Sequence, residues 1–385
     1  MQIALITREY PPEIYGGAGV HVGELVKVLR NLIDVDVYCM GSPRPDAHSF
    51  TIGTDENFAL EVMKTNVEIS EEISKKNYDL IHSHTWYANF AGQLSSLSLG
   101  SPHVITAHSL EPMRPWKREQ LGSGYEISSQ IEKQAFETAS KIIAVSQGMK
   151  TDIESVYPDI NPLNIDVIHN GIDPAVYKPT YDSTVLTKYG IDLDTPIVLF
   201  VGRITRQKGL PHLLAALNEV NPASQCVLVA SSPDDAQIEQ EVQDRIAELR
   251  ARDKQNIVWI DSHVPLHELL VLYTAATVFV CPSIYEPLGI VNLEAMACET
   301  AVVASSVGGI PEVVSHQVTG LLVDYDPHNT EEFQRNLALR INELLDDASL
   351  ARDLGRRARE HVTNNFDWMR IAKNTIELYE SLVTR

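Results

Sequence analysis

Three segments concentrate side chains and main-chain groups able to bind an anion or a sugar. Residues 202–209 read Gly202-Arg203-Ile204-Thr205-Arg206-Gln207-Lys208-Gly209, a run of cations in an otherwise acidic chain. A guanidinium and an ammonium flanking one loop make a clamp for a diphosphate; the competing reading is a solvated basic turn. Residues 282–297 open Pro282-Ser283-Ile284-Tyr285-Glu286-Pro287-Leu288-Gly289 and run on through Ile290, Val291 and Glu294. The amides of Leu288 to Val291 at a helix start have no carbonyl of their own helix to bond, so they suit an anion. Glu286 and Glu294 can each accept hydrogen bonds from sugar hydroxyls, although either one alone also reads as a helix-capping acid. In Tyr15-Gly16-Gly17-Ala18-Gly19, Gly16 and Gly17 let main-chain N–H groups approach an anion closely. The spacing is not G-x-G-x-x-G, so it is no dinucleotide signature, and a tight turn explains it equally well.

His108 closes a run of strand character, and His82 and His84 lie one run earlier. The His-x-His spacing fits metal ligation, but no third ligand stands at a suitable spacing, so no metal is expected. The Asp-x-Asp sequences at 34–36, 192–194 and 324–326 sit in no convincing metal loop and are discounted. Gly308-Gly309-Ile310-Pro311-Glu312 reads as plain turn geometry with proline opening a helix. After His108, Arg114, Lys117 and Arg118 alternate with Pro115 and Trp116. Such a cluster of cations in an acidic chain suits an anionic ligand; the bland alternative is a solvated loop with Trp116 packed as a lid.

These loops need a frame, and the hydrophobic pattern predicts one. Short runs rich in Val and Ile fall at 3–7, 35–39, 80–83, 103–107, 142–145 and 166–169, then at 197–201, 226–229, 257–260, 278–281, 301–304 and 320–323. They are apolar on both faces, as parallel strands covered by helices are. Amphipathic stretches such as 20–32, 125–139, 210–220 and 238–251 lie between them. The fold class is α/β, with two Rossmann-like doubly wound domains facing a cleft. The expected domains are 1–170, rejoined by about 366–385 through a closing helix that crosses back, and 196–365. The proline-marked stretch 171–195 is expected to link them. Ligands of open α/β sheets bind beyond the carboxyl ends of the strands, where the segments above stand.

The chain has 385 residues and a formal charge of −21. Such a surface repels nucleic acid and anionic lipid, so neither is an expected partner, and any phosphorylated ligand needs a local cationic pocket. Cys39, Cys226, Cys281 and Cys298 lie far apart and read as reduced core thiols. No signal-peptide pattern begins the sequence. The most apolar stretch, 269–281, is about half a membrane span and reads as buried helix followed by strand. A cytoplasmic location follows as an expectation.

Glu286 and Glu294 within Pro-Ser-x-x-Glu-Pro-x-Gly resemble the E-x7-E motif of retaining GT-B glycosyltransferases. The Arg203…Lys208-Gly209 and Gly16-Gly17 loops are similar to that family's phosphate-binding elements. Arg8-Glu9-Tyr10-Pro11-Pro12…Tyr15-Gly16-Gly17-Ala18-Gly19-Val20-His21-Val22 and Thr106-Ala107-His108-Ser109-Leu110-Glu111-Pro112…Arg114-Pro115-Trp116-Lys117 resemble the branch of short-form bacterial glycogen synthases and α-maltose-1-phosphate synthases. The resemblance spans nearly the whole chain.

It implies a metal-independent α-1,4-glucosyltransferase that needs no cofactor and retains anomeric configuration. Glucose would pass from ADP-glucose to glucose 1-phosphate, giving α-maltose 1-phosphate, or to an α-glucan end in glycogen biosynthesis. Arg203 and Lys208 would neutralise the leaving diphosphate, Glu286 hold the donor glucose and Glu294 the ribose. Gly289, Ile290 and Val291 would bind phosphate and sugar through their amides, and Gly16 and Gly17 would close over the diphosphate. His108 would contact glucose near the reacting carbon, with His21, Arg114, Lys117 and Arg118 on the acceptor side. One departure stands out: larger bacterial glycogen synthases carry Lys-x-Gly-Gly, whereas Ile14-Tyr15 precedes Gly16-Gly17 here. That favours a branch with a different acceptor. The alternatives are a sugar-nucleotide epimerase of the same shape, a lipid-directed glycosyltransferase, which would need a basic or amphipathic membrane face, and a nucleotide-binding module without chemistry. The sequence leaves the oligomeric state open, a homodimer included.

Overall fold

A computed structural model describes residues 1–54, 57–114, 116–118, 122–251 and 256–383. The chain divides into two compact units, Met1–Gly171 with Trp368–Arg385, and Ile172–Asp367.

The first unit carries strands β1 (Gln2–Thr7), β2 (Asp34–Met40), β3 (His48–Phe50), β4 (Leu80–His84), β5 (His103–Ala107), β6 (Lys141–Ala144) and β7 (Ile165–Val167). They form one sheet in the order β3-β2-β1-β4-β5-β6-β7, parallel at every pairing. Side chains alternate across β1. Ile3 and Leu5 join one core with Val22, Leu25, Trp368, Ile371 and Tyr379, from helices Gly17–Leu29 and Trp368–Val383. Ala4 and Ile6 join another with Val62, Ile69, Trp86 and Ala91, from helices Phe58–Ile73 and Trp86–Leu99. Burial on both faces is why these strands read as continuous apolar runs.

The second unit carries β8 (Ile197–Arg203), β9 (Gln225–Ser231), β10 (Asn256–Ile260), β11 (Val278–Cys281), β12 (Ala301–Ser305) and β13 (Leu321–Val323). Their order is β10-β9-β8-β11-β12-β13, again parallel throughout. One core joins Val198 and Phe200 to Leu213, Val242, Phe333, Ile341 and Leu354 from the covering helices. The stretch expected as a linker holds a helix, Ser183–Lys188, started by Asp182, whose side chain accepts from the Thr184 amide. That stretch belongs to the second unit. Lys188 pairs with Glu268 at 2.6 Å.

Each sheet reverses its strand order once, between β1 and β4 and between β8 and β11. The loops leaving those strands diverge to opposite faces and leave a crevice at their carboxyl ends, where open α/β sheets bind ligands. The loop after β1 contains Gly16 and Gly17, β4 ends in His84, the loop after β8 contains Lys208, and the loop after β11 contains Glu286.

Candidate active site

In the second unit Arg203 is the last residue of β8, and its guanidinium donates to Asp234 at 3.0 Å. Lys208 lies in the following turn. Gly209, at φ +66°, ends that turn, and any Cβ there would collide with the Pro282 carbonyl oxygen. Glycine therefore lets the β8 loop lie against the backbone of the β11 loop, and the Ile284 amide donates to the Gln207 carbonyl at 2.9 Å. This contact sets the Lys208 ammonium 2.7 Å from a carboxylate oxygen of Glu286, which also accepts from Ser283 at 3.0 Å. Gly308 repeats the device from the β12 loop: at φ +53° it rests on the Glu286 carbonyl, which accepts from the Gly309 amide at 3.0 Å. The plain glycine turn of the sequence thus shapes the Glu286 loop.

The sequence treats Arg203 and Lys208 alike, as loop cations. The structure separates them: Arg203 is 33% exposed beside Asp234, whereas Lys208 and Glu286 are 20% and 8% exposed. Burial pushes the Lys208 ammonium down, but the Glu286 carboxylate beside it more than offsets this and holds it above the ordinary lysine value. Glu294 lies one turn inside helix Ile290–Ala297, which follows Gly289. Its two carboxylate oxygens accept from Tyr273 at 2.8 Å and Tyr177 at 3.3 Å. Burial raises its pKa, and those hydroxyls together with the Lys208 charge pull the other way. Asp234, Tyr273 and Tyr177 carry no spacing signal; only the fold brings them to these groups. The first-turn amides of Ile290 and Val291 have no carbonyl within their helix to bond. Beneath them Asn292 is fully buried, and neither polar atom of its side chain has a partner among the described residues.

In the first unit the glycine loop binds a carboxylate of its own. One oxygen of Glu9, two residues past β1, accepts from the amides of Tyr15 and Gly16, each at 2.8 Å. Beside this loop lies a cavity of about 570 Å³, lined by Arg8, Glu9, Glu13, Tyr15, Ser42 and Thr51 among others.

His84 and His108 end β4 and follow β5, with His84 Nδ1 3.0 Å from His108 Nε2. His21, from helix Gly17–Leu29, packs edge-on to His108 at 4.7 Å between ring centroids. Burial lowers the pKa of all three, His21 to about 4, so they are neutral imidazoles at neutral pH. His84 Nε2 has no hydrogen-bond partner among the described residues, and His21 has the Asn170 side chain beside it. Thr85, directly after His84, is held at φ 65° and ψ 163°, a conformation non-glycine residues avoid and one concentrated at ligand sites. The His82–His84 pair does not act as a chelating unit, because His82 is spent on Tyr379 at 2.6 Å and Thr106 at 2.8 Å. The neighbours of His84 are instead His21 and His108, and one ring nitrogen from each of the three lies within 4.8 Å of the other two. Among the described residues this trio is the one grouping with a spacing a divalent metal could use. The unpaired His84 Nε2 suits a sugar hydroxyl.

The basic loop after His108 is partly neutralised. Arg114 bonds Glu111, which is fully buried, and Arg118 bonds Glu126 at 2.8 Å and stacks on Tyr125. Lys117 and Trp116 are half-buried, and Pro115 lies outside the described residues. Glu111 meets a second buried carboxyl: Glu132 accepts from the Glu111 amide at 2.8 Å and from Tyr157 at 2.7 Å. Burial and then the Glu111 charge push the Glu132 pKa well up.

Residues 184–361 match the family described as glycosyl transferases group 1, and residues 15–176 match glycosyltransferase family 4. The chain is 50% identical to α-maltose-1-phosphate synthase of Mycolicibacterium smegmatis, over 99% of this chain and all of the relative. It is 46% identical to that of Mycobacterium tuberculosis, over 99% and 100%. Sucrose-phosphate synthase from Thermosynechococcus elongatus superposes with a TM-score of 0.83 at 25% identity, covering 100% of both chains. The catalytic domain of starch synthase IV from Arabidopsis thaliana, bound to ADP and acarbose, superposes at 0.75 and 17% identity, over 100% of this chain and 99% of that one, which shows the fold. Two parallel Rossmann-like sheets and full-length identity at this level have one meaning: the chain is a GT-B glycosyltransferase of the family that includes the α-maltose-1-phosphate synthases.

Proposed function

We propose that this glycosyltransferase moves glucose from ADP-glucose to the 4-hydroxyl of glucose 1-phosphate, releasing ADP and α-maltose 1-phosphate. The observation that carries the reading is the 50% identity along the full length of a synthase named for that product. In the transfer the C1–O bond to the diphosphate breaks and ADP leaves with the electron pair. The acceptor oxygen bonds C1 on the same face, and its proton passes to the departing phosphate.

What the protein supplies is charge stabilisation as negative charge moves onto the phosphate. Arg203, Lys208 and the amides of Gly289, Ile290 and Val291 are suited to that role, Lys208 being already oriented by Glu286. Glu286 would exchange its lysine partner in part for glucose hydroxyls. Glu294, steadied by Tyr273 and Tyr177, would hold the ribose. His108, neutral and backed by His84, would contact a glucose hydroxyl. The transfer proceeds without a metal, since fixed cations and helix amides take the place of a divalent ion. Buried free thiols at all four cysteines suit a cytoplasmic setting, and no described helix is long and apolar enough to cross a membrane.

The test is incubation with ADP-glucose and either glucose 1-phosphate or a malto-oligosaccharide, with products read by mass spectrometry. Disaccharide phosphate is the expected product. ADP release without any new glycoside, or a lengthened glucan alone, refutes the proposal.

A further inference from the structure

We infer that Arg8 is the phosphate-recognising residue of the acceptor subsite, a role that rests on the proposed use of a phosphorylated acceptor. Arg8 directly follows β1 beside the strand-order reversal, where open α/β sheets bind ligands. Its guanidinium carbon lies 4.3 Å from the ring centroid of Tyr87 and 5.2 Å from that of Phe58. Two aromatic faces fix the plane of the cation while leaving its N–H edge available.

The charge arrangement around it is selective. The other arginines of this unit described above have carboxylate partners: Arg114 has Glu111 and Arg118 has Glu126. Arg30 bonds Asp46 and Arg44 bonds Glu13 in the same way. Arg8 has no ion pair among the described residues. Two acids line its cavity, yet both are engaged elsewhere. Glu9 is taken by the amides of Tyr15 and Gly16. Glu13 is taken by Arg44 at 3.1 Å and the Ser42 amide at 3.3 Å. A planar cation thus lines a cavity of about 570 Å³ in a chain of charge −21, and the neighbouring carboxylates are already bonded to other groups. A cavity of this size holds a hexose phosphate, and the guanidinium fork matches two oxygens of a phosphate monoester. The basic loop after His108, by contrast, spends Arg114 and Arg118 on its own acids.

A phosphate on the acceptor and the diphosphate of the donor share this chemistry, and kinetics separates them. Arg8→Gln and Arg8→Lys are compared with wild type by varying glucose 1-phosphate at saturating ADP-glucose, then the reverse. Melting temperatures confirm folding. Arg8→Gln is expected to raise KM for glucose 1-phosphate by about tenfold or more, well beyond any change in KM for ADP-glucose, with Arg8→Lys between the two. Calorimetric titration of glucose 1-phosphate against glucose adds a readout that does not need turnover: wild type should prefer the phosphate, and Arg8→Gln should lose the preference. A wild-type chain that binds glucose 1-phosphate through Arg8 but forms no disaccharide phosphate leaves this site standing and removes the proposed function instead. An unchanged KM for glucose 1-phosphate in folded Arg8→Gln, or an equal rise for both substrates, overturns the assignment.

Discussion

Replacing Lys208 by methionine should damage stability and turnover together, and a second substitution should separate them. Lys208 and Glu286 meet at 2.7 Å with 20% and 8% of their side chains exposed. Removing the cation alone leaves Glu286 a poorly solvated carboxylate with Ser283 as its remaining side-chain donor among the described residues. Breaking a fully buried pair costs about 3–5 kcal/mol; the residual exposure of Lys208 argues for about 2–3 kcal/mol here. At about 2–4 °C per kcal/mol for a unit of this size, the melting temperature should fall by roughly 4–12 °C. Loss of one charge-assisted bond to the departing diphosphate should add about 2–4 kcal/mol to the barrier, a fall in kcat of roughly 30- to 900-fold. In Lys208→Met combined with Glu286→Gln no buried charge is left unpaired, so most of the lost stability should return while turnover stays low. Thermal unfolding and ADP release at saturating donor measure the two effects. A Lys208→Met enzyme within about threefold of wild-type kcat would refute the clamp. A double variant regaining turnover along with stability would show that the pair serves only the fold.

Three further outcomes are expected. Activity should survive EDTA; loss on chelation with rescue by a divalent ion would mean that the His21, His84 and His108 trio holds a working metal. Arg114→Ala should lower the melting temperature, because it strands the buried Glu111 carboxylate, whereas Arg118→Ala, whose ion pair with Glu126 is exposed, should leave it within about 2 °C; equal losses would contradict the difference in burial between the two pairs. Glu132→Gln should flatten the pH dependence of stability. A carboxyl whose folded pKa is raised contributes stability that is complete below its unfolded value, about 4.3, and is lost as pH rises through the folded value. The melting-temperature gain of Glu132→Gln over wild type should therefore widen from about pH 5 to about pH 8, and a constant difference would count against the raised pKa.

The hydrophobic pattern located every strand of both sheets except β3. His48–Phe50 is three residues long, half-buried and at a sheet edge, so it has no apolar run to betray it. The helix expected from residue 20 begins at Gly17, since glycines at a helix start look like a turn in sequence. The chemistry-bearing loops were legible because a strand followed by glycines and charges is a local pattern. Their partners were not: Tyr177 reaches Glu294 across 117 positions and Lys208 reaches Glu286 across 78. Glu9 shows the other limit. Nothing in its spacing from Gly16 announces a carboxylate folded back onto the loop's amides, and the same residues read equally well as an open anion cradle.

The path of the chain also has a consequence for synthesis on the ribosome. Trp368, Ile371, Ala372 and Tyr379 are buried in the core of the first unit, and the Tyr379 hydroxyl meets His82 inside it. The second unit, Ile172–Asp367, lies wholly between the two pieces of the first. Domains usually mature in the order they emerge, but here the segment made first must wait for the segment made last. Until residues 368–383 leave the exit tunnel, the face formed by Val22, Leu25 and Ile3 stays uncovered, a natural stretch for a chaperone to hold. Nascent chains stalled before residue 368 should therefore be protease-sensitive in their first 171 residues even after the second unit has become resistant.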